Sequence, residues 1–176
     1  MAAPPDVVLV YAPDETKRRS ITTALRDRWS VRTATTPEAA ASSLDETIAV
    51  VVGTDGTSIE DPRTNSPSEC DHIQLLWLAS SEAEVPASGG NVLADDVSAD
   101  ALRQTVARLH RRARYDRLLT TCYELSRARS EAKADESASA EDIAACDREL
   151  ESVQRDLDEL TAELNDVEAF DVALDE

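Results

Sequence analysis

The sequence predicts a chain in two parts, a doubly wound α/β sheet followed by a long α-helical hairpin or coiled coil. Over the first hundred residues, short apolar runs alternate with capped, amphipathic segments, as they do in parallel sheets joined by crossover helices. One of those runs, Ile48 to Val52 (IAVVV), is apolar on both faces, which suits a central parallel strand. The last third repeats apolar residues at alternating steps of three and four, the spacing of a coiled-coil seam.

Val7 to Val10 is the first buried strand. Asp14 then caps a helix that runs to about Arg28 and sets Ile21, Ala24 and Leu25 on one face. Ser30 to Ala34 alternates as a short second strand. Thr36 followed by Pro37 is a cap with proline at the first helical position, opening a helix to about Leu44. After IAVVV and Gly53, the stretch TDGTSIEDPRTNSPSECD has no helical period, so the third helix is expected to be absent or reduced to a turn. His72 to Ala79 (HIQLLWLA) is a fourth strand. SSEAEVPASGG is too broken for a regular helix, and Asn91 to Ala94 makes a short fifth strand. The sum is a flavodoxin-like parallel sheet with reduced later crossovers.

From the N-cap Ser98 the chain is helical to about Ala134, with Leu102, Val106, Leu109 and Ala113 on one stripe and Tyr115, Leu118, Cys122 and Leu125 on a shifted one. DESAS interrupts it, and Ser139 with Asp142 resembles a capping box for another helix. In that helix Ile143, Cys146, Leu150, Val153, Leu157, Leu160, Leu164 and Val167 form an unbroken seam. A seam so narrow needs a partner, either the preceding helix folded back or the same helix of a second chain. The tail beyond Phe170 is expected to fray.

Charge limits the functions open to the chain. Its 176 residues carry 36 acidic and 18 basic side chains, a net −18, which argues against a simple polyanion binder. Only Lys17 and Lys133 are lysines; the other sixteen basic residues are arginines. A lysine-poor, carboxylate-rich composition resembles the proteomes of extreme halophiles. The cations are clustered: Ala101 to Arg117 holds six arginines and one acid, while Glu131 to Glu176 holds 17 acids and three bases. Arg108, Arg111, Arg112 and Arg114 are therefore a possible basic contact patch. Arginines at helical spacing can grip phosphates, but they equally suit packing against the acidic last helix, whose charge would repel DNA.

No catalytic, cofactor or metal constellation stands out. Cys70, Cys122 and Cys146 are widely spaced and include no CxxC pair, which fits thiols on apolar positions better than a disulfide framework or zinc site. Cys70 and His72 lack a second ligand pair. Ser80 and Ser81, with His72 or His110, form no nucleophile elbow. The segment Gly53 to Gly56 lacks the spacing of a phosphate loop. With no basic leader and no membrane-length apolar run, the chain is expected in the cytoplasm and off the membrane.

The first hundred residues resemble a response-regulator receiver domain, in their order of strands and in VLADDVSADALRQTVARL leading into a last helix. The remainder, through RRARYDRLLTTCYELSRARSEA and the heptad helix after it, resembles HalX, a helical domain found behind receivers in haloarchaea. The resemblances imply a receiver-like domain over residues 1–105 and a HalX-like domain over 106–176, in a phosphorelay setting with a sensor kinase or another regulator as partner and a possible homodimer through the helices.

Receivers hold Mg²⁺ and take a phosphoryl group with two acids after the first strand and an aspartate after the third, because a hard cation needs oxygen ligands. They add a hydroxyl after the fourth strand and a lysine after the fifth. Here those five positions are Tyr11, Ala12, Thr54, Ala79 and Asp95, and all depart from the pattern, Thr54 standing as a degenerate phosphoacceptor. Asp14, Glu15, Asp55 and Ser80 lie close by in sequence. A one-residue slip at a strand end reverses a side chain, so these would have to be re-aimed together. The expectation is a regulator acting by protein contact without phosphorylation; the competing reading is a transcription regulator contacting DNA through the arginine-rich helix.

Overall fold

The computed structural model describes residues 5–54, 70–80, 90–134 and 139–172, with side chains described to residue 162. The expectations for 55–69 and 81–89, Asp55 among them, and for the side chains of Leu164, Val167 and the tail, fall outside that description. The chain divides into two compact units, Met1–Arg114 and Tyr115–Glu176.

The first unit is a five-stranded parallel sheet made of β1 (Val7–Tyr11), β2 (Ser30–Ala34), β3 (Ile48–Gly53), β4 (Gln74–Ala79) and β5 (Asn91–Ala94), in the order β2-β1-β3-β4-β5. β3 lies at the centre and is buried at every position, as its run of apolar residues requires. Helices α1 (Glu15–Leu25) and α2 (Pro37–Ser42) take the predicted caps: Asp14 accepts from the Lys17 N–H and Thr36 from the Ala39 N–H. Both helices end before their expected limits, α1 by three residues and α2 by two; after α1 there is no apolar residue to bury, since Arg26, Asp27 and Arg28 are exposed, whereas Leu44 beyond α2 packs against the core from outside the helix.

The strand alternation sorts the core into two layers. Val8, Val10, Val50, Val52, Leu76 and Leu78 pack with Ile21, Ala24 and Leu25 of α1 and with Leu102, Val106, Leu109 and Ala113 of the long helix α3 (Ala99–Ala134). On the opposite face Leu9, Tyr11, Ile48, Val51, Ile73, Leu75 and Trp77 pack with Ala34, Ala40 and Cys70. β4 starts at Gln74, later than the expected His72, because Cys70 to His72 form a turn. The buried His72 ring meets the Ile48 carbonyl oxygen through Nε2 at 3.0 Å, so it is a satisfied core histidine.

In the second unit, α3 continues from Tyr115 to Ala134 and α4 runs Ala140–Val172. The Ser139 hydroxyl accepts from the Asp142 N–H at 3.1 Å and donates to its carboxylate at 2.7 Å, the expected cap. Arg129 Nε lies 2.5 Å from Asp147 Oδ1. Eighteen residues of continuous helix would separate those groups by about 27 Å, so α4 turns back beside α3. On α4, Ile143, Cys146, Leu150 and Leu157 are half-buried, and Val153 and Leu160 retain only 5% and 4% of their surface in the single chain. On α3, Leu118, Cys122, Leu125, Arg129 and Ala132 are half-buried at steps of four, three, four and three. Two facing seams of this period are what an antiparallel helical pair buries.

Candidate functional site

In open parallel sheets, ligands bind beyond the carboxyl ends of the strands where the chain connections diverge to opposite faces. Here that edge is built from Tyr11 and Ala12 at the end of β1, Gly53 and Thr54 at the end of β3, Ala79 and Ser80 at the end of β4, Asp95 just after β5, and the first turn of α1.

Apolar groups fill its middle. Tyr11 retains 1% of its surface and Ala12 none, so both positions expected to carry acids belong to the core. Gly53 lies in register with Trp77, whose ring occupies the space a side chain would need: a Cβ built on Gly53 would sit 2.2 Å from the indole. Thr54 is half-buried and its N–H donates to the Tyr11 carbonyl at 3.2 Å, continuing the ladder beyond the strand end.

The charges around this plug are reversed relative to a receiver. The Arg18 guanidinium donates to the Ala12 carbonyl at 2.8 Å, placing a cation where the receiver pattern has acids. Lys17 Nζ lies 2.6 Å from Asp95 Oδ2, and the Ser80 hydroxyl donates to the same oxygen at 2.9 Å. The Lys17 hydrogen bond, followed by that from Ser80, holds the Asp95 carboxyl below the usual carboxylate range. A lysine and a carboxylate therefore meet across this edge, but the lysine comes from α1 and the acid from the end of β5. Asp14 is engaged by the helix backbone it caps, and Glu15 pairs with Arg19 at 3.3 Å.

This donor set does not fit a divalent cation. Mg²⁺ needs several oxygen ligands of negative or dipolar character, and the described carboxylates at this edge are engaged elsewhere, Asp95 by Lys17, Glu15 by Arg19 and Asp14 by the helix N–H it caps. Among the described residues, no three of His, Cys, Asp and Glu gather closely enough to hold a metal ion. Sequence reasoning missed Lys17 and Arg18; the signal was the run of three cations, Lys17 to Arg19, one residue beyond Asp14 and Glu15.

The arginine run divides between two roles. Arg103 donates to the Ala24 carbonyl at 2.8 Å and to Asp100 at 2.7 Å, which ties α3 to the end of α1. Arg111 is half-buried, while Arg108, Arg112 and Arg114 are exposed. Between them His110 is buried against Trp29, at a ring distance of 6.3 Å, with Nε2 3.1 Å from Asp6.

No protein-family model matches the sequence, and no curated protein matches it. Among solved structures, a response regulator receiver modulated diguanylate cyclase from Pelobacter carbinolicus matches with a TM-score of 0.52 at 12% identity, over 62% of this chain and 96% of that one. A fusion carrying the trimeric coiled coil of yeast Spc42, amino acids 181–211, matches with a TM-score of 0.48 at 16% identity, over 88% of this chain and 98% of that one. At 12% identity the first likeness is one of fold. The chain has a receiver-like fold, a five-stranded parallel sheet with flanking helices, followed by long helices. Among the described residues no helix is long and apolar enough to cross a membrane.

Proposed function

We propose that the chain is a non-enzymatic signalling or regulatory protein that acts by protein contact, with its state set by partner binding and not by phosphorylation. The observation that carries this reading is the reversed edge of the sheet. Tyr11 and Ala12 are buried where acids would bind Mg²⁺, and the carboxylate at the lysine position is paired to Lys17. A phosphoryl group entering there would meet Asp95 as a like charge. Its partner would be a sensor kinase or another regulator, and the HalX-like helices would provide the second contact surface.

A DNA-contacting role through α3 has one observation in its favour, the exposure of Arg108, Arg112 and Arg114 along one stretch of helix. Pull-down of the full chain, with and without nuclease, separates the two. Retained proteins insensitive to nuclease support the contact reading. Retained DNA that disappears with nuclease, and is lost on changing Arg111 and Arg112 to Ala while helical content holds, would replace it with a transcription regulator.

A further inference from the structure

The hairpin covers one face of α3 and leaves a second open. Leu119 and Tyr123 lie one turn apart and keep 44% and 73% of their surface. Leaving an aromatic so exposed is notable in a chain with six aromatic residues, two of which, Tyr11 and Trp77, are almost wholly buried in the sheet domain. Asp116, half-buried and already engaged within its own chain, lies one turn before Leu119, and the exposed Arg127 lies one turn after Tyr123, so Asp116, Leu119, Tyr123 and Arg127 follow steps of three, four and four down one helical stripe. That stripe is offset from the half-buried row Leu118, Cys122 and Leu125 facing α4.

We propose that this stripe is the contact between two copies of the chain, with their α3 helices antiparallel across a two-fold axis at the height of Thr121 and Cys122. In an isologous pair, a patch must complement itself, and this one does so in only one direction. Antiparallel pairing sets Asp116 against Arg127 of the second copy at both ends and Leu119 against Tyr123 in the middle. Parallel pairing would set Asp116 on Asp116 and Arg127 on Arg127, which like-charge repulsion disfavours. Arg127 pairs with Glu131 at 2.8 Å within its own helix, but both side chains are mostly exposed, 71% and 64%, so sharing that guanidinium across the axis costs little. The seam on α4 is not needed, since Val153 and Leu160 are already buried within one chain. About three turns of helix make a small interface, so the dimer is reversible, with a dissociation constant roughly in the micromolar range.

Sedimentation equilibrium of the full chain over a range of concentrations tests this. The expected result is a monomer–dimer equilibrium that Tyr123→Ser weakens at least about tenfold with unchanged far-ultraviolet circular dichroism. Asp116→Arg and Arg127→Asp each weaken it, and the double variant regains it because the opposed charges are restored. A chain that stays monomeric at every concentration, a dimer indifferent to Tyr123→Ser, or a double variant no tighter than either single one overturns the proposal.

Discussion

Lys17 and Asp95, 78 residues apart in sequence, meet at 2.6 Å between Nζ and Oδ2, with the Ser80 hydroxyl on the same carboxylate oxygen. The contact fastens the first turn of α1 to the connection between β5 and α3. It is a structural tie across the carboxyl edge of the sheet.

The side chains of this pair are 50% and 26% exposed, so its contribution to stability is small and screened by salt. Lys17→Asp is expected to lower the melting temperature, since it sets two carboxylates together, and Lys17→Asp with Asp95→Lys to recover it. The sign with pH follows from the lowered Asp95 value. The stabilisation is complete above the ordinary value of 3.8 and is lost as pH falls through the lower folded value. Melting curves at several salt concentrations, with the double variant in the series, check both points.

Gly53→Ala tests the apolar plug. A methyl group at Gly53 would drive into the Trp77 ring, which is buried and cannot swing away without disturbing its core layer. The expected cost is about 1–3 kcal/mol, read as a lower urea midpoint with an unchanged slope. A neutral substitution would mean that Trp77 does not occupy this space.

His110 gives the sheet domain a pH response of its own. Burial pushes its imidazole below the ordinary 6.5, with Arg114 and Arg111 on the same helix adding to that shift and Asp6, before β1, opposing it. The folded state thus binds fewer protons than the unfolded one in this range. Its stability contribution is complete above about 6.5 and lost as pH falls toward the folded value. Thermal melts between pH 7.5 and pH 5 are expected to shift downward more for the native chain than for His110→Gln.

Leu160→Ala should cost about 2 kcal/mol, the low end for a buried leucine because a two-helix unit is thin. Leu157→Asp should cost more, by placing a charge on the half-buried seam. Chemical unfolding followed by far-ultraviolet circular dichroism reads both, with helix lost in the second unit. An unchanged midpoint in Leu160→Ala would show that its burial contributes nothing.

The fold was legible wherever a local pattern fixes it. IAVVVG is buried along its whole length, Asp14, Thr36 and Ser139 cap the helices that follow them, and Val153 and Leu160 lie buried where the seam spacing put them. The identities at the sheet's edge were also readable, because each departure falls at a strand end. What the edge contains instead was not. Lys17 meets Asp95, and Trp77 covers Gly53, only after the crossovers have brought distant segments into register. The start of β4 was misjudged because His72 looks like part of an apolar run, while its ring is turned to the Ile48 carbonyl.

The central claim is that this receiver-like sheet works without a phosphoryl group, and exposure to a small phosphodonor in Mg²⁺, followed by intact mass measurement, tests it most directly. The account predicts no gain of a phosphoryl group by the native chain under conditions where an active receiver is labelled. Stoichiometric labelling that Asp55→Asn abolishes would contradict it, and would mean that Asp55 accepts a phosphoryl group.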